Sequence, residues 1–164
     1  MTTNGLQDKP NGVQIDRPRA DLSGWIADHN PLPIARWHAC ASSVERPVDP
    51  FGTYADTYWL PVIGPSALCG LRRLLSWLGP CPDGFDVPLA DFAGTLGLGH
   101  STAKNAPVVR TLARLVQYRC ATVTNGRFCV YPNLPTLTHA AVERLPGYLA
   151  ARHRSDALLQ RADV

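Results

Sequence analysis

No Asp or Glu occurs between Asp91 and Glu143, a stretch that carries Lys104, Arg110, Arg114, Arg119 and Arg127. A polyanion would meet cations there and no neighbouring carboxylate in sequence, so the block predicts attraction for phosphates even though the whole chain has a formal charge of only +3. By charge alone the same five cations also read as an ordinary solvated surface.

Other absences exclude whole classes of chemistry. The five cysteines (Cys40, Cys69, Cys81, Cys120, Cys129) include no C-x-x-C pair, and the five histidines lack the spacing of a zinc site. A site built from Trp37-His38-Ala39-Cys40 with Cys81 or His100 would lack paired short-range ligands. No metal and no other cofactor is expected, and the cysteines read as reduced thiols. The opening residues, MTTNGLQDKPNGVQIDRPRADLSG, lack the apolar core of a signal peptide, and no charge-free apolar run is long enough to cross a bilayer. These features predict a soluble, cytoplasmic protein with no membrane partner. The phosphate loop G-x-x-x-x-G-K, the nucleophile elbow and H-E-x-x-H are missing too. LGLGH at 96–100 follows a helical stretch instead of a strand, so its glycines read as a helix-ending turn and not as a dinucleotide loop. Nothing points to an enzyme.

What is present suits one domain with tails: 164 residues, 45% hydrophobic and 18% charged. Residues 1–50 are rich in proline, glycine and short polar stretches and are expected to form a mostly irregular arm. Trp25-Ile26 and Ile34 to Trp37 are the exceptions, able to dock on the globular part or on a partner.

Residues 51–135 read as the folded domain. Gly64-Pro65-Ser66 opens a helix in which Leu68, Leu71, Leu75 and Leu78 recur at helical spacing, with Arg72 and Arg73 off that stripe. Phe85 to Leu89, interrupted by Pro88, can be at most an edge strand. A short helix follows, with Leu89, Phe92, Ala93 and Leu96 on one face, ending at Gly97 or Gly99. A third helix spans about 106–119, with Asn105 available as its cap and Pro107 in its first turn. Val108, Leu112, Leu115 and Val116 gather on one side of it, and Arg110, Arg114 and Gln117 on the other. Asn125-Gly126 then marks a two-residue hairpin over 121–131, because that turn needs positive φ at both central positions. Residues 136–164 add a C-terminal helical segment, capped by Thr138 and restarted at Pro146, with a frayed end of about ten residues.

Helix, short strand, helix, turn, amphipathic helix and hairpin is the order of a winged helix-turn-helix, mainly α with a small β-hairpin. In that arrangement the third helix enters the major groove and the hairpin is the wing. Ser101, Thr102, Lys104, Asn105, Arg110 and Arg114 would then meet double-stranded DNA, with Arg127 beside the wing tip on phosphate or minor groove. Arginine can pair in bidentate fashion with guanine, and Asn suits adenine, although Asn105 reads first as a helix cap.

TYWLPVIGPSALCGLRRLLSWL, LADFAGTLGLG, KNAPVVRTLARLVQYRCA and RLPGYLAARH together resemble a set of small actinobacterial proteins with a winged-helix core and no assigned activity. That resemblance covers about 53–153 and implies the fold. YWLPVIGPSALCGLRRL is also similar to the opening helix of winged-helix domains in DnaD-type replication-initiation proteins. The leading expectation is a DNA-binding transcriptional regulator. The alternative is an interaction or assembly module in replication, plasmid or phage biology, forming homo-oligomers or capturing a partner through the aromatics of the arm and of YWLPVIG.

Overall fold

The computed structural model describes residues 21–38 and 46–162, with side chains described as far as Ala157. The fold is mainly helical with a small sheet of four strands. Its central helix pair forms where the leucine spacing predicts. Helix α3, Pro65–Leu78, buries Leu68, Leu71, Leu74 and Leu78, while Leu75 stays half-exposed. Helix α4, Leu89–Thr95, buries Leu89, Phe92 and Ala93. Gly97 (φ 68) ends it, with Leu98 N–H donating to the Ala93 carbonyl at 3.0 Å and Gly97 N–H to Gly94 at 3.2 Å. This pair of bonds satisfies carbonyls that the helix itself leaves open.

Helix α5, Pro107–Gln117, buries Val108, Val109, Leu112 and Leu115 and leaves Arg110, Arg114 and Gln117 exposed. It packs on α3 where Gly70 lets the two approach: a β-carbon there would stand 3.5 Å from the Thr111 methyl and 3.5 Å from Phe92. The expected cap is corrected. Asn105 makes no capping bond; the capping position is Ala106, because Ala106 N–H turns back to the Ala103 carbonyl at 2.7 Å and Pro107 is the first helical residue. Asn105 therefore falls one position too early and is exposed.

At its other end α5 repeats the closing pattern of α4 with an arginine in place of glycine. Arg119 has φ 60, Cys120 N–H donates to Leu115 at 2.8 Å, and Arg119 N–H donates to Val116 at 3.1 Å. The chain then enters a hairpin of β3, Ala121–Thr124, and β4, Arg127–Val130, turned by Asn125 (φ 51) and Gly126 (φ 70). This is the predicted hairpin, with its turn at Asn125-Gly126 as expected and its second strand ending one residue earlier, at Val130.

The hairpin does not stand alone, and this corrects the reading of the arm. Helix α1, Leu22–Asp28, and strand β1, Leu32–Arg36, both come from the segment expected to be irregular. With β2, Phe85–Val87, strand β1 completes a sheet of order β2-β1-β4-β3. Strand β1 runs antiparallel to β2 (Ile34 opposite Phe85) and parallel to β4 (Ile34 opposite Phe128). LPIAR is short and contains proline, which hides it from pattern reading, yet Leu32 and Ile34 alternate inward and are fully buried. Pro33 is tolerated because the ladder with β4 begins only at Ile34. Residues 1–20 and 39–45 lie outside the described residues.

The aromatics of both segments suggested for assembly are largely interior. Trp25 and Ile26 join the core, with α1 against α5, and Trp37 packs edge-on to Tyr131. Tyr58 and Trp59, within a π-helical turn at Ala55–Trp59, are 3% exposed each. This turn runs into α2, Leu60–Ile63. Helix α6, His139–Glu143, is capped by Thr138, whose hydroxyl accepts from Ala141 N–H at 3.3 Å. After Pro146, α7 runs from Gly147 to Ala162, so the backbone is helical through most of the segment expected to fray. Helix α7 is fastened to the π-turn by side chains: Tyr54 meets His153 and the Tyr58 hydroxyl donates to Asp156, each at 2.6 Å.

Candidate nucleic-acid interface

The residues expected to meet DNA occupy three environments. Arg110 and Arg114 lie one turn apart on the exposed face of α5 and join no ion pair among the described residues. The Arg114 guanidinium sits 5.9 Å from the Tyr118 ring, a cation–π contact one turn along the helix. It also reaches the junction between α2 and α3, where Nη1 lies 3.9 Å from the position a β-carbon would take on Gly64. A planar cation held against an aromatic ring is oriented but not neutralised, so its donors remain open to an acceptor.

Lys104 and Arg127 are engaged within the chain. Lys104 Nζ lies 2.6 Å from Asp21 Oδ2, at the start of α1. Asp21 also accepts from Gly24 N–H at 2.9 Å, capping α1. The Lys104 ammonium and the Gly24 amide hold the Asp21 carboxyl below its ordinary pKa. The block that lacks acid in sequence thus acquires one in space. Arg127 Nη1 donates to the Asp83 carbonyl at 3.2 Å, bracing the hairpin against the turn before β2. Gly84 in that turn has φ 93, and a β-carbon on it would collide with the Ile34 carbonyl oxygen. Ser101, Lys104 and Asn105 are exposed in the connector between α4 and α5, and Thr102 is half-buried there.

Beside the two free arginines lies a cleft of about 290 Å³ that the sequence did not signal. Its far wall is the start of α3, Gly64 to Ala67, and its near wall is α5 from Pro107 to Arg114. The one sequence cue was Gly64-Pro65-Ser66, which reads on its own only as a helix start.

Among the described residues no group of three His, Cys, Asp or Glu side chains could hold a metal ion; Cys40 lies outside them. Nor is any described helix long and apolar enough to cross a membrane. No family model, curated protein or solved structure matches the chain.

Proposed function

We propose that this chain is a DNA-binding protein of the winged helix-turn-helix kind, acting as a cytoplasmic transcriptional regulator, with α5 in the major groove and the β3–β4 hairpin as wing. The observation that carries this reading is the exposed face of α5, where Arg110 and Arg114 stand one turn apart without a carboxylate partner among the described residues. Arginines so spaced suit base edges and flanking phosphates in a groove that admits a helix. The order α3, β2, α4, α5, hairpin supports the same reading. In this proposal Lys104 and Arg127 are secondary, because each already has a partner in the chain. The resemblance to small actinobacterial winged-helix proteins belongs to the proposal as well.

Binding to a mixed genomic duplex, measured across a salt series, tests it. Affinity should fall steeply with salt, and Arg110→Ala with Arg114→Ala should lower the slope of log K against log salt by roughly two, about 0.9 for each phosphate left without its arginine. Unchanged affinity of the double variant at low salt would rule the reading out.

A second reading is an interaction module without sequence-specific DNA reading, as the similarity to DnaD-type domains would imply. It is favoured by the exposure of Phe51 (52%) and Tyr148 (74%), large apolar side chains that the fold leaves more than half exposed. Light scattering that shows salt-resistant oligomers, abolished by Tyr148→Ser, would support it.

A further inference from the structure

The cleft between α3 and α5 combines three features. First, α3 begins without a capping side chain: Gly64 occupies the capping position, Pro65 has no N–H, and Leu68 N–H is the first amide to find its helical partner, at the Gly64 carbonyl. The amides of Ser66 and Ala67 belong to the open first turn of a 14-residue helix, whose positive dipole end faces the cleft. Second, Arg110 and Arg114 approach from the opposite wall, and no carboxylate lines the space. Third, Thr111 is only 7% exposed, and its methyl packs toward Gly70. Its hydroxyl makes no side-chain hydrogen bond among the described residues and is not sealed from solvent, which leaves it turned to the cleft it lines. A hydroxyl open to the cleft and without a side-chain partner in the chain is free to bond a ligand oxygen there.

We infer that this cleft is a binding site for a small organic phosphate monoester, its phosphate held by the first turn of α3, Arg110, Thr111 and Arg114. Two guanidinium groups and a helix N-terminus match a dianion, and arginine can meet phosphate oxygens in pairs. The remaining wall is apolar, supplied by Ile63, Leu98 and Pro107. At about 290 Å³ the space lies at the lower end of small-molecule sites, roughly 300–1,000 Å³, so it has room for a compact apolar body beyond the phosphate. The inference stands apart from the DNA reading, although the two share both arginines.

The test titrates phenyl phosphate, inorganic phosphate and a short DNA duplex separately into the full chain, following backbone amide shifts. Phenyl phosphate should saturate, moving the Ser66, Ala67 and Thr111 amides, and inorganic phosphate should bind the same residues about tenfold more weakly for want of an apolar body. Arg114→Gln, at an exposed position, should weaken phenyl phosphate about tenfold, and Thr111→Val should weaken it several-fold. Arg144→Gln, exposed at the end of α6, should leave it unchanged. Absence of saturation, indifference to both Arg114→Gln and Thr111→Val, or equal affinity for phosphate and phenyl phosphate would each overturn the inference. A duplex that fills the cleft while phenyl phosphate does not would make it a seat for backbone phosphate instead. If the duplex fails to bind anywhere and phenyl phosphate saturates, the DNA reading falls and this one stands.

Discussion

The Tyr54 hydroxyl lies 2.6 Å from Nε2 of His153, joining residues 99 positions apart and holding α7 against the π-turn. Tyr54, Tyr58 and His153 pack edge to face, with ring centroids 4.9 to 5.6 Å apart. Leu137 N–H approaches the Tyr54 oxygen at 3.5 Å, which leaves the hydroxyl proton directed to the imidazole. A neutral His153 carrying its proton on Nδ1 accepts that hydrogen bond at Nε2.

This geometry makes the docking of α7 sensitive to acid. Burial pushes the His153 pKa below its ordinary value of 6.5, with the Asp156 carboxylate acting in the opposite direction and Arg152 nearby on the same helix. The unfolded chain takes up this proton at higher pH than the folded one, so the stability from His153 is whole above pH 6.5 and declines as pH falls through the folded value. Urea melts at about pH 7.5 and about pH 5 should show a larger loss for the wild type than for His153→Gln, which keeps an acceptor and cannot charge. Equal losses would refute the assignment. The Tyr58 hydroxyl, pushed up to about 12 by burial and by Asp156, stays protonated throughout.

Arg119 occupies a left-handed conformation, φ 60, at the end of α5. That region costs a side chain about 1 kcal/mol that glycine escapes. Arg119→Gly should therefore raise stability by about 1 kcal/mol in urea denaturation, against the usual direction for a glycine substitution. A decrease would mean that the Arg119 side chain holds the helix end in another way.

Gly84→Ala should do the reverse. With φ 93 and the Ile34 carbonyl in the way, the added methyl must displace either the turn or β1, at a cost of roughly 2 kcal/mol or more. Amide exchange should then quicken first in β2 and at Ile34, and a variant as protected as the wild type would contradict the packing described.

Asp21→Asn separates two roles of one side chain. Asparagine keeps the cap on α1 but releases Lys104. Under the DNA proposal the freed ammonium should raise duplex affinity at low salt by roughly two- to fivefold and steepen the salt slope by about 0.9. Unchanged binding would place Lys104 away from the duplex.

Helices α3, α4 and α5 and the hairpin were legible because their signals are local: leucines at helical spacing, Gly97 at a helix end, Asn125-Gly126 at a turn. Strand β1 was not, since five residues with a proline carry no readable period, and what makes them a strand is the company of β2 and β4. The candidate site divided in the same way. Arg110 and Arg114 follow from helix periodicity alone, whereas the engagement of Lys104 depends on Asp21, 83 residues away, and the cleft depends on how α3 crosses α5. Asn105 was misplaced by one residue, within the tolerance at which helix starts can be read from sequence.

The position of β1 between β2 and β4 sets an order of events as well as an architecture. Leaving the ribosome ahead of both partners, this strand has neither neighbour, because β2 is made later and β4 later still. Its buried Leu32 and Ile34 must wait, and the parallel pairing with β4 can close only after the hairpin exists. Strand β1 is therefore made before either of its partners, and trimming it as if it were a dispensable leader would leave β2 and the hairpin with nothing between them.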